Sequence, residues 1–357
     1  MKIIFSGGGT LGPVTPLLAI ADMIKEERPD ASFLWVGTTR GPERVLIEQH
    51  HIPFTTLSSG KFRRYLSIWN VVDLVRIVIG FFQSLALLWR ENPDVCVSAG
   101  GFISVPLHIA AWVLGIPTWI HQQDVRPGLA NKLMAPFARR ITTALEQSLL
   151  HFPKRKSIWL GNPVRKEVLS GSAVKAKELF QVSIDHPVVF VTGGGTGSMK
   201  INQLITQALP HLQGHCQVIH LTGKERPQEL IAPADRQFAF YHPYRFFTEE
   251  MPHAYAASDI IISRGGFGTL TEIAALGKPA IIIPKEGHQD DNVSFLDHAG
   301  AVILVKEQLS DGNHLAKTIK ELLQDTQKKM FMQRKIQELL PLAKKEKVME
   351  VVDYLVS

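Results

Sequence analysis

Two short apolar runs in this chain each end in three consecutive glycines and then open a helix. That repeated junction limits the possible architectures more than any other feature. Ser6-Gly7-Gly8-Gly9-Thr10 follows the strand-like run 2–5, and Thr192-Gly193-Gly194-Gly195-Thr196 follows 188–191. A strand that turns through glycine into a helix opens a βαβ unit, whose backbone amides and helix N-terminus face a point where a phosphate can sit. Further apolar runs at 32–36, 95–98, 118–121, 157–160, 217–221, 260–263 and 280–283 alternate with helical stretches at 15–25, 104–114, 201–209 and 270–276. This alternation predicts an α/β chain with parallel sheets. The 357 residues then read as two Rossmann-like domains, in line with about 150 residues per domain. The boundary is expected near Gly161-Asn162-Pro163, giving a first domain over 1–161, a second over 162–340, and a C-terminal helix over 341–357 that packs back on the first.

Charge and cysteine content narrow the partners. The net charge of +6 and pI of 9.2 fit an anionic partner. Cys96 and Cys216, both inside apolar runs, exclude a disulfide scaffold and suit a reducing compartment. The N-terminal run lacks the long apolar core of a secretion signal, so a secreted protein is not expected. Segment 66–89 is the most apolar, but Asp73 and Arg76 interrupt it. What remains is shorter than the roughly 20 residues of a membrane span. It reads as an amphipathic helix with a wide apolar face, carrying Phe81 and Phe82 as candidates for lipid contact. The groups Lys61-Arg63-Arg64, Arg139-Arg140 and Lys154-Arg155-Lys156 lack interleaved aromatics. They read as surface charge, possible at a membrane and not suited to nucleic acid.

The chemistry concentrates in the glycine junctions. Gly7, Gly9 and Gly12 satisfy G-x-G-x-x-G, yet no carboxylate follows in 35–40, where a nicotinamide site needs one. Arg40 keeps an NADP-dependent oxidoreductase as a rival reading. Gly100-Gly101 and the cluster Ser263-Arg264-Gly265-Gly266-Phe267-Gly268-Thr269 form two more strand-to-helix loops. All four fall where open α/β sheets bind ligands. Glu272 then either complements the helix dipole or accepts two ribose hydroxyls. Gly214 and the adjacent strand argue against zinc at His211 and His215, and Asp290-Asp291 read as first-turn acids. No metal and no cofactor is assigned.

Taken together, these residues resemble the MurG-type enzymes of glycosyltransferase family 28. Ser98-Ala99-Gly100-Gly101-Phe102-Ile103-Ser104-Val105-Pro106 is similar to that family's GGY-x-S-x-P loop, with Phe for Tyr. His121-Gln122-Gln123-Asp124 stands where the family has H-E-Q-N, followed by Gly128-Leu129-Ala130-Asn131. Gly161-Asn162-Pro163-Val164-Arg165 matches G-N-P-V-R, and 264–272 with His288-Gln289 and Asn292 resemble the donor-site motifs. The resemblance implies a GT-B fold, with two Rossmann-like domains whose parallel sheets face an interdomain cleft. It implies an inverting transfer of GlcNAc from UDP-GlcNAc to a polyprenyl-pyrophosphate-linked muramoyl peptide, at the cytoplasmic face of an anionic membrane. Carried over by position, Arg165, Gly195, Thr196, Phe247, Thr248, Arg264, Gly268, Thr269, Glu272, Gln289 and Asn292 would serve the donor. Gly9, Thr10, Gly12, Gly100, Gly101 and Asn131 would serve the acceptor.

The departures matter as much. Pro13 replaces the His that usually ends the first loop, and it has no proton-accepting group. Gln122 stands for Glu, Asp124 for Asn, Gly195 for Ser and Thr196 for Gln. A displacement at the anomeric carbon needs a base near the attacking hydroxyl. Asp124 is the candidate, and His121 the alternative. Two rivals remain within the same fold: a UDP-sugar transferase acting on diacylglycerol, and a UDP-sugar-binding protein without turnover.

Overall fold

The computed structural model describes residues 1–60, 68–183, 185–194, 197–229 and 231–357, the side chains of 68–74 and 288 excepted. The expected donor residues Gly195 and Thr196, the basic group Lys61-Arg63-Arg64 and the start of segment 66–89 lie outside the described residues. The chain divides into two units, Met1–Arg165 with Leu342–Ser357, and Lys166–Pro341. The boundary thus falls after Arg165 rather than after Gly161.

In the first unit the strands are β1 (Lys2–Ser6), β2 (Ser32–Gly37), β3 (Phe54–Thr56), β4 (Val95–Ser98), β5 (Thr118–Gln122), β6 (Arg140–Thr143) and β7 (Ser157–Trp159). They form one sheet in the order β3-β2-β1-β4-β5-β6-β7, parallel at every pairing. The second unit has β8 (Val188–Thr192), β9 (Gln217–Leu221), β10 (Tyr241–Tyr244), β11 (Ile260–Ser263), β12 (Ala280–Ile282) and β13 (Ile303–Leu304), in the order β10-β9-β8-β11-β12-β13. Both sheets reverse direction of winding beside their first strand, between β1 and β4 and between β8 and β11. These are the switch points at which doubly wound sheets leave a crevice. The glycine junctions fall there because each follows the first strand of its own sheet.

Parallel sheets are covered on both faces, so their strands are apolar throughout. Ile3, Ile4 and Phe5 are fully buried, as are Val189, Phe190 and Val191. The helix Lys345–Val356 buries Val348, Val351, Val352 and Leu355 in the same core as Ile3, Phe5, Leu17 and Trp35. Their i, i+3, i+4, i+7 spacing puts them on one face. An Asn162–Leu342 bridge ties the chain's return to the first unit. Arg140, expected as surface charge, opens β6 and places its guanidinium 3.9 Å from the Tyr354 ring centroid of that helix. It holds packing partners together rather than facing outward.

Candidate active site

In the first unit, three loops meet at the carboxyl ends of β1, β4 and β5. A Cβ on Gly101 would stand 3.4 Å from the Gly8 carbonyl oxygen, so the loops after β1 and β4 are in backbone contact. Gly100 and Gly101 have φ of +117° and +97°, a region that side chains avoid. Inside the first loop lies the buried carboxylate of Glu43. It accepts the Gly9 N–H (3.1 Å), the Thr38 N–H (2.7 Å) and the Thr38 hydroxyl (2.6 Å). A Cβ on Gly8 would sit 2.1 Å from Glu43 Oε1, and one on Gly41 would sit 1.8 Å from Oε2. Gly8 in this loop and Gly41 after β2 therefore make room for a carboxylate of the protein itself. The Gly9 amide, expected at the acceptor's phosphates, is turned inward to that carboxylate. Thr10 is exposed and Gly12 half-buried, and both remain on the outer side of the loop.

The loop after β5 is held by amides. Gln122, 1% exposed, donates from Nε2 to the carbonyls of Asp124 (2.7 Å) and Arg126 (3.4 Å). Its Oε1 accepts from Asn131 Nδ2 at 2.6 Å. Ser148 Oγ donates to the same Asp124 carbonyl at 3.1 Å. A carboxylate at 122 has no N–H to give these carbonyls, so the Gln found here suits this loop. Asp124 is half-buried on a backbone pinned from two sides. Asn131 is buried, and its Oδ1 has no hydrogen-bond partner among the described residues. That atom lies 3.4 Å from where a Cβ on Gly100 would be.

His121 does not join this group. It is fully buried, with Nδ1 2.9 Å from Thr142 Oγ1, and Trp119 Nε1 donates to the same hydroxyl at 2.8 Å. Burial pushes its pKa down to about 3. The expectation of His121 as an alternative base is corrected: a base must reach the proton it abstracts, and this imidazole lies in the core.

In the second unit, Ser198 caps the helix Met199–Leu212, its Oγ accepting the Ile201 N–H at 3.3 Å. Arg264 Nε donates to that Oγ at 2.8 Å, and its Nη1 donates to the Ile283 carbonyl at 3.1 Å and to the Glu307 carboxylate. Arg264, expected to serve the donor, ties the loop after β11 to the loop after β8 and to the exit of β12 through its Nε and Nη1. It acts on the site through Ser198. The helix Phe267–Leu276 begins at Gly266 with no side-chain cap; the Thr269 N–H donates to the Gly266 carbonyl at 3.0 Å, so of these two first-turn amides it is that of Gly268 that suits an anion. Glu272 lies beyond the first turn and is half-buried, and the Tyr255 hydroxyl donates to its Oε2 at 2.8 Å. The macrodipole reading therefore gives way to a carboxylate held in place.

Gln289 packs against the same loop. A Cβ on Gly265 would stand 3.3 Å from Gln289 Cβ, and Gln289 Oε1 accepts the Lys285 N–H at 3.0 Å. Asn292, one turn on, is 2% exposed. Phe247 is core, stacked at 6.1 Å on Phe190 and tilted at 5.2 Å on Phe180. The Thr248 N–H donates to Glu250 Oε2 at 2.6 Å. That amide, in a segment expected to serve the donor, is engaged within its own turn. Arg165 ends the first unit and is half-buried.

On the helix Ile68–Glu91, Phe82 is 63% exposed, together with Val75, Val78 and Ile79. Phe81 instead packs on the core, so of the two expected lipid contacts only Phe82 is available. Among the described residues no helix is long and apolar enough to cross a membrane. Glu43, Tyr255 and Glu307 gave no sign in the sequence. Glu43 in Gly41-Pro42-Glu43 looks like any acid at a helix start.

Two Rossmann-like units of this order, with glycine loops at both switch points, are the two halves of a GT-B fold. The model of the glycosyltransferase family 28 N-terminal domain matches residues 3–143, and that of the C-terminal domain matches 188–351. The chain is 36% identical to the UDP-N-acetylglucosamine–N-acetylmuramyl-(pentapeptide) pyrophosphoryl-undecaprenol N-acetylglucosamine transferase of Lachnoclostridium phytofermentans, over 92% of each chain. It is 34% identical to the transferase of the same name from Legionella pneumophila, over 98% of this chain and 96% of that one. A crystal structure of Acinetobacter baumannii MurG superposes with a TM-score of 0.77 at 22% identity, covering 99% of both chains. The chain belongs to glycosyltransferase family 28, in its MurG-type group.

Proposed function

We propose that this chain transfers GlcNAc from UDP-GlcNAc to a polyprenyl-diphosphate-linked N-acetylmuramyl peptide, with inversion at the anomeric carbon. The observation that carries this reading is the extent of the likeness: a relative of that printed activity aligns over 92% of the chain, and so through both units. In the second unit, the first-turn amide at Gly268 and the Thr269 hydroxyl take the departing diphosphate. Glu272, held by Tyr255, takes the ribose hydroxyls. Stabilising UDP as it leaves is the larger electrostatic demand, and a dipole with preset donors meets it without reorganisation. Gln289, beside Gly265, contacts the donor sugar.

In the first unit, Asp124 accepts the proton of the attacking hydroxyl, which Pro13 cannot do. Its position is supported by the carbonyl bonds from Gln122 and Ser148, because a base works only at a fixed distance from its proton. Asn131 Oδ1 is a buried acceptor without a partner among the described residues, suited to a hydroxyl or amide of the acceptor. The exposed face of Val75, Val78, Ile79 and Phe82 rests on the cytoplasmic membrane surface, where the lipid-linked acceptor resides.

The test is transfer of radiolabelled GlcNAc from UDP-GlcNAc to synthetic lipid-linked muramoyl pentapeptide, with mass analysis of the product. One added N-acetylhexosamine with release of UDP is expected. UDP binding without any product would remove the catalytic reading.

A further inference from the structure

A polar pocket of about 190 Å³ lies where β11 and β12 begin, at the end of the second sheet opposite the donor loops. Asp259 stands before β11 and Lys278 before β12, while Thr326, Lys329 and Gln333 come from the helix Thr326–Leu339. The Lys278 amine is held in place: Nζ donates to the Ser258 carbonyl at 2.7 Å and to the Ala256 carbonyl at 3.2 Å. These carbonyls close the helix Met251–Ala257, whose end otherwise presents unpaired acceptors and negative dipole charge. With two N–H bonds made, one tetrahedral direction at Nζ is left, and in the neutral amine it carries the lone pair. Burial lowers the Lys278 pKa from the ordinary lysine value, against the opposing pull of Asp259. Asp259 is engaged in turn, its Oδ2 accepting the Val188 N–H at 2.8 Å. Lys329 gives one bond among the described residues, to the Leu323 carbonyl at 2.9 Å, so its ammonium keeps further N–H groups for an anion.

A nucleophilic amine, an ammonium and the Thr326 hydroxyl in one small cavity suit an electrophile that carries a phosphate. We propose that Lys278 is a modification site, acylated by a small acyl phosphate seated in this pocket, and that the acyl group weakens donor binding from the far end of the sheet. Nζ attacks the carbonyl carbon, the C–N bond forms, and the bond from that carbon to the phosphate oxygen breaks. The bonding pair leaves on the phosphate oxygen beside Lys329, and the amine's proton passes to the released phosphate. The amide so formed has no charge and a single N–H, so at most one of the two carbonyls keeps its donor. Ala256 follows Tyr255, whose hydroxyl donates to the Glu272 carboxylate at 2.8 Å. Loosening the end of this helix therefore loosens the carboxylate assigned to the ribose. That consequence rests on the ribose reading above; the modification site itself does not.

The full chain is incubated with acetyl phosphate from neutral pH up to the ordinary lysine range, and acetylation at each lysine is followed by peptide mass spectrometry. Lys278 should react faster than the exposed Lys175 and Lys177, with the widest margin near neutral pH, where its neutral fraction exceeds theirs most. Lys329→Gln should slow Lys278 by about tenfold or more and leave Lys175 and Lys177 unchanged. Lys278→Gln carries a neutral amide, as the acylated side chain does, and should weaken UDP in calorimetry below its melting midpoint, with Glu272→Ala measured beside it. Labelling of Lys278 no faster than of the exposed lysines, or at an unchanged rate in Lys329→Gln, overturns the site even if Lys278→Gln fails to fold. Wild-type UDP affinity in Lys278→Gln overturns the coupling when Glu272→Ala binds weakly. Wild-type affinity in both variants removes the ribose reading instead, and the labelling result then decides the site alone.

Discussion

Glu43→Gln tests whether a buried carboxylate shapes the first glycine loop. The substitution keeps the side chain's volume, so no cavity enters the reasoning. The carboxylate accepts three bonds, two of them converging on Oε1 from Thr38 and one on Oε2 from Gly9. Gln has a single acceptor oxygen, and the least costly choice keeps it facing Thr38. Its NH₂ then faces the Gly9 N–H, donor against donor. A charge-assisted bond contributes about 1.5–3 kcal/mol and an orphaned buried N–H costs about 1–3 kcal/mol, partly the same loss counted twice. The net expectation is about 3 kcal/mol. For a unit of this size each kcal/mol lowers the melting midpoint by about 2–4 °C, so the shift should be about 6–12 °C.

The assay is available in the protein itself, because all six tryptophans lie between Trp35 and Trp159, within the first unit. Trp35 Nε1 donates to the Gly7 carbonyl at 3.0 Å, inside the loop in question. Tryptophan emission during heating therefore follows this unit, while UDP binding follows the other. A midpoint within 1 °C of wild type, on the order of a few tenths of a kcal/mol, would refute the reasoning.

Glu272→Ala should weaken UDP by about 2–3 kcal/mol through two lost charge-assisted bonds, and calorimetry at wild-type affinity would remove Glu272 from the ribose site. Asp124→Asn keeps the shape but not the proton acceptor, so the transfer rate should fall about 10²–10⁴-fold with donor affinity intact; an unchanged rate would exclude it as the base. Burial holds His108, His121 and His220 neutral, with pKa values pushed down to about 3. The unfolded chain binds those protons below about pH 6.5, so stability is full above that value and falls as the pH drops toward 3. Each histidine should cost up to about 1.4 kcal/mol per pH unit, and His108→Leu should flatten the urea-midpoint slope between pH 6.5 and 5 in tryptophan emission. An identical slope would show that another group sets it.

The fold was legible wherever a strand is apolar on both faces. The runs that became β1, β4, β8 and β11 announce themselves because central parallel strands admit nothing else. The strands that gave no signal are β3, β6, β10 and β13. They are three residues long at an edge, begin with an arginine, contain Pro243, or span only two residues. Pro243 is tolerated because β10 is an edge strand. The site was legible in outline for the same reason that the central strands were: glycines mark where backbone must approach backbone.

What spacing cannot show is which polar side chains are spent inside the protein. Arg264 sits in a loop that suits an anion, yet its Nε and Nη1 are engaged by Ser198, two backbone carbonyls and Glu307. Gly9 offers an amide in the expected place, and Glu43, from 34 residues along the chain, takes it. His121 is the last residue but one of a strand that leads to the site, and its ring lies beside Thr142. In each case the deciding partner comes from a neighbouring strand or another βα junction. A carboxylate or imidazole in an open α/β sheet is therefore a candidate for chemistry only after its partners across the sheet are known. By that criterion Gln122 gains importance over His121, since its amide fixes the backbone on which Asp124 is carried.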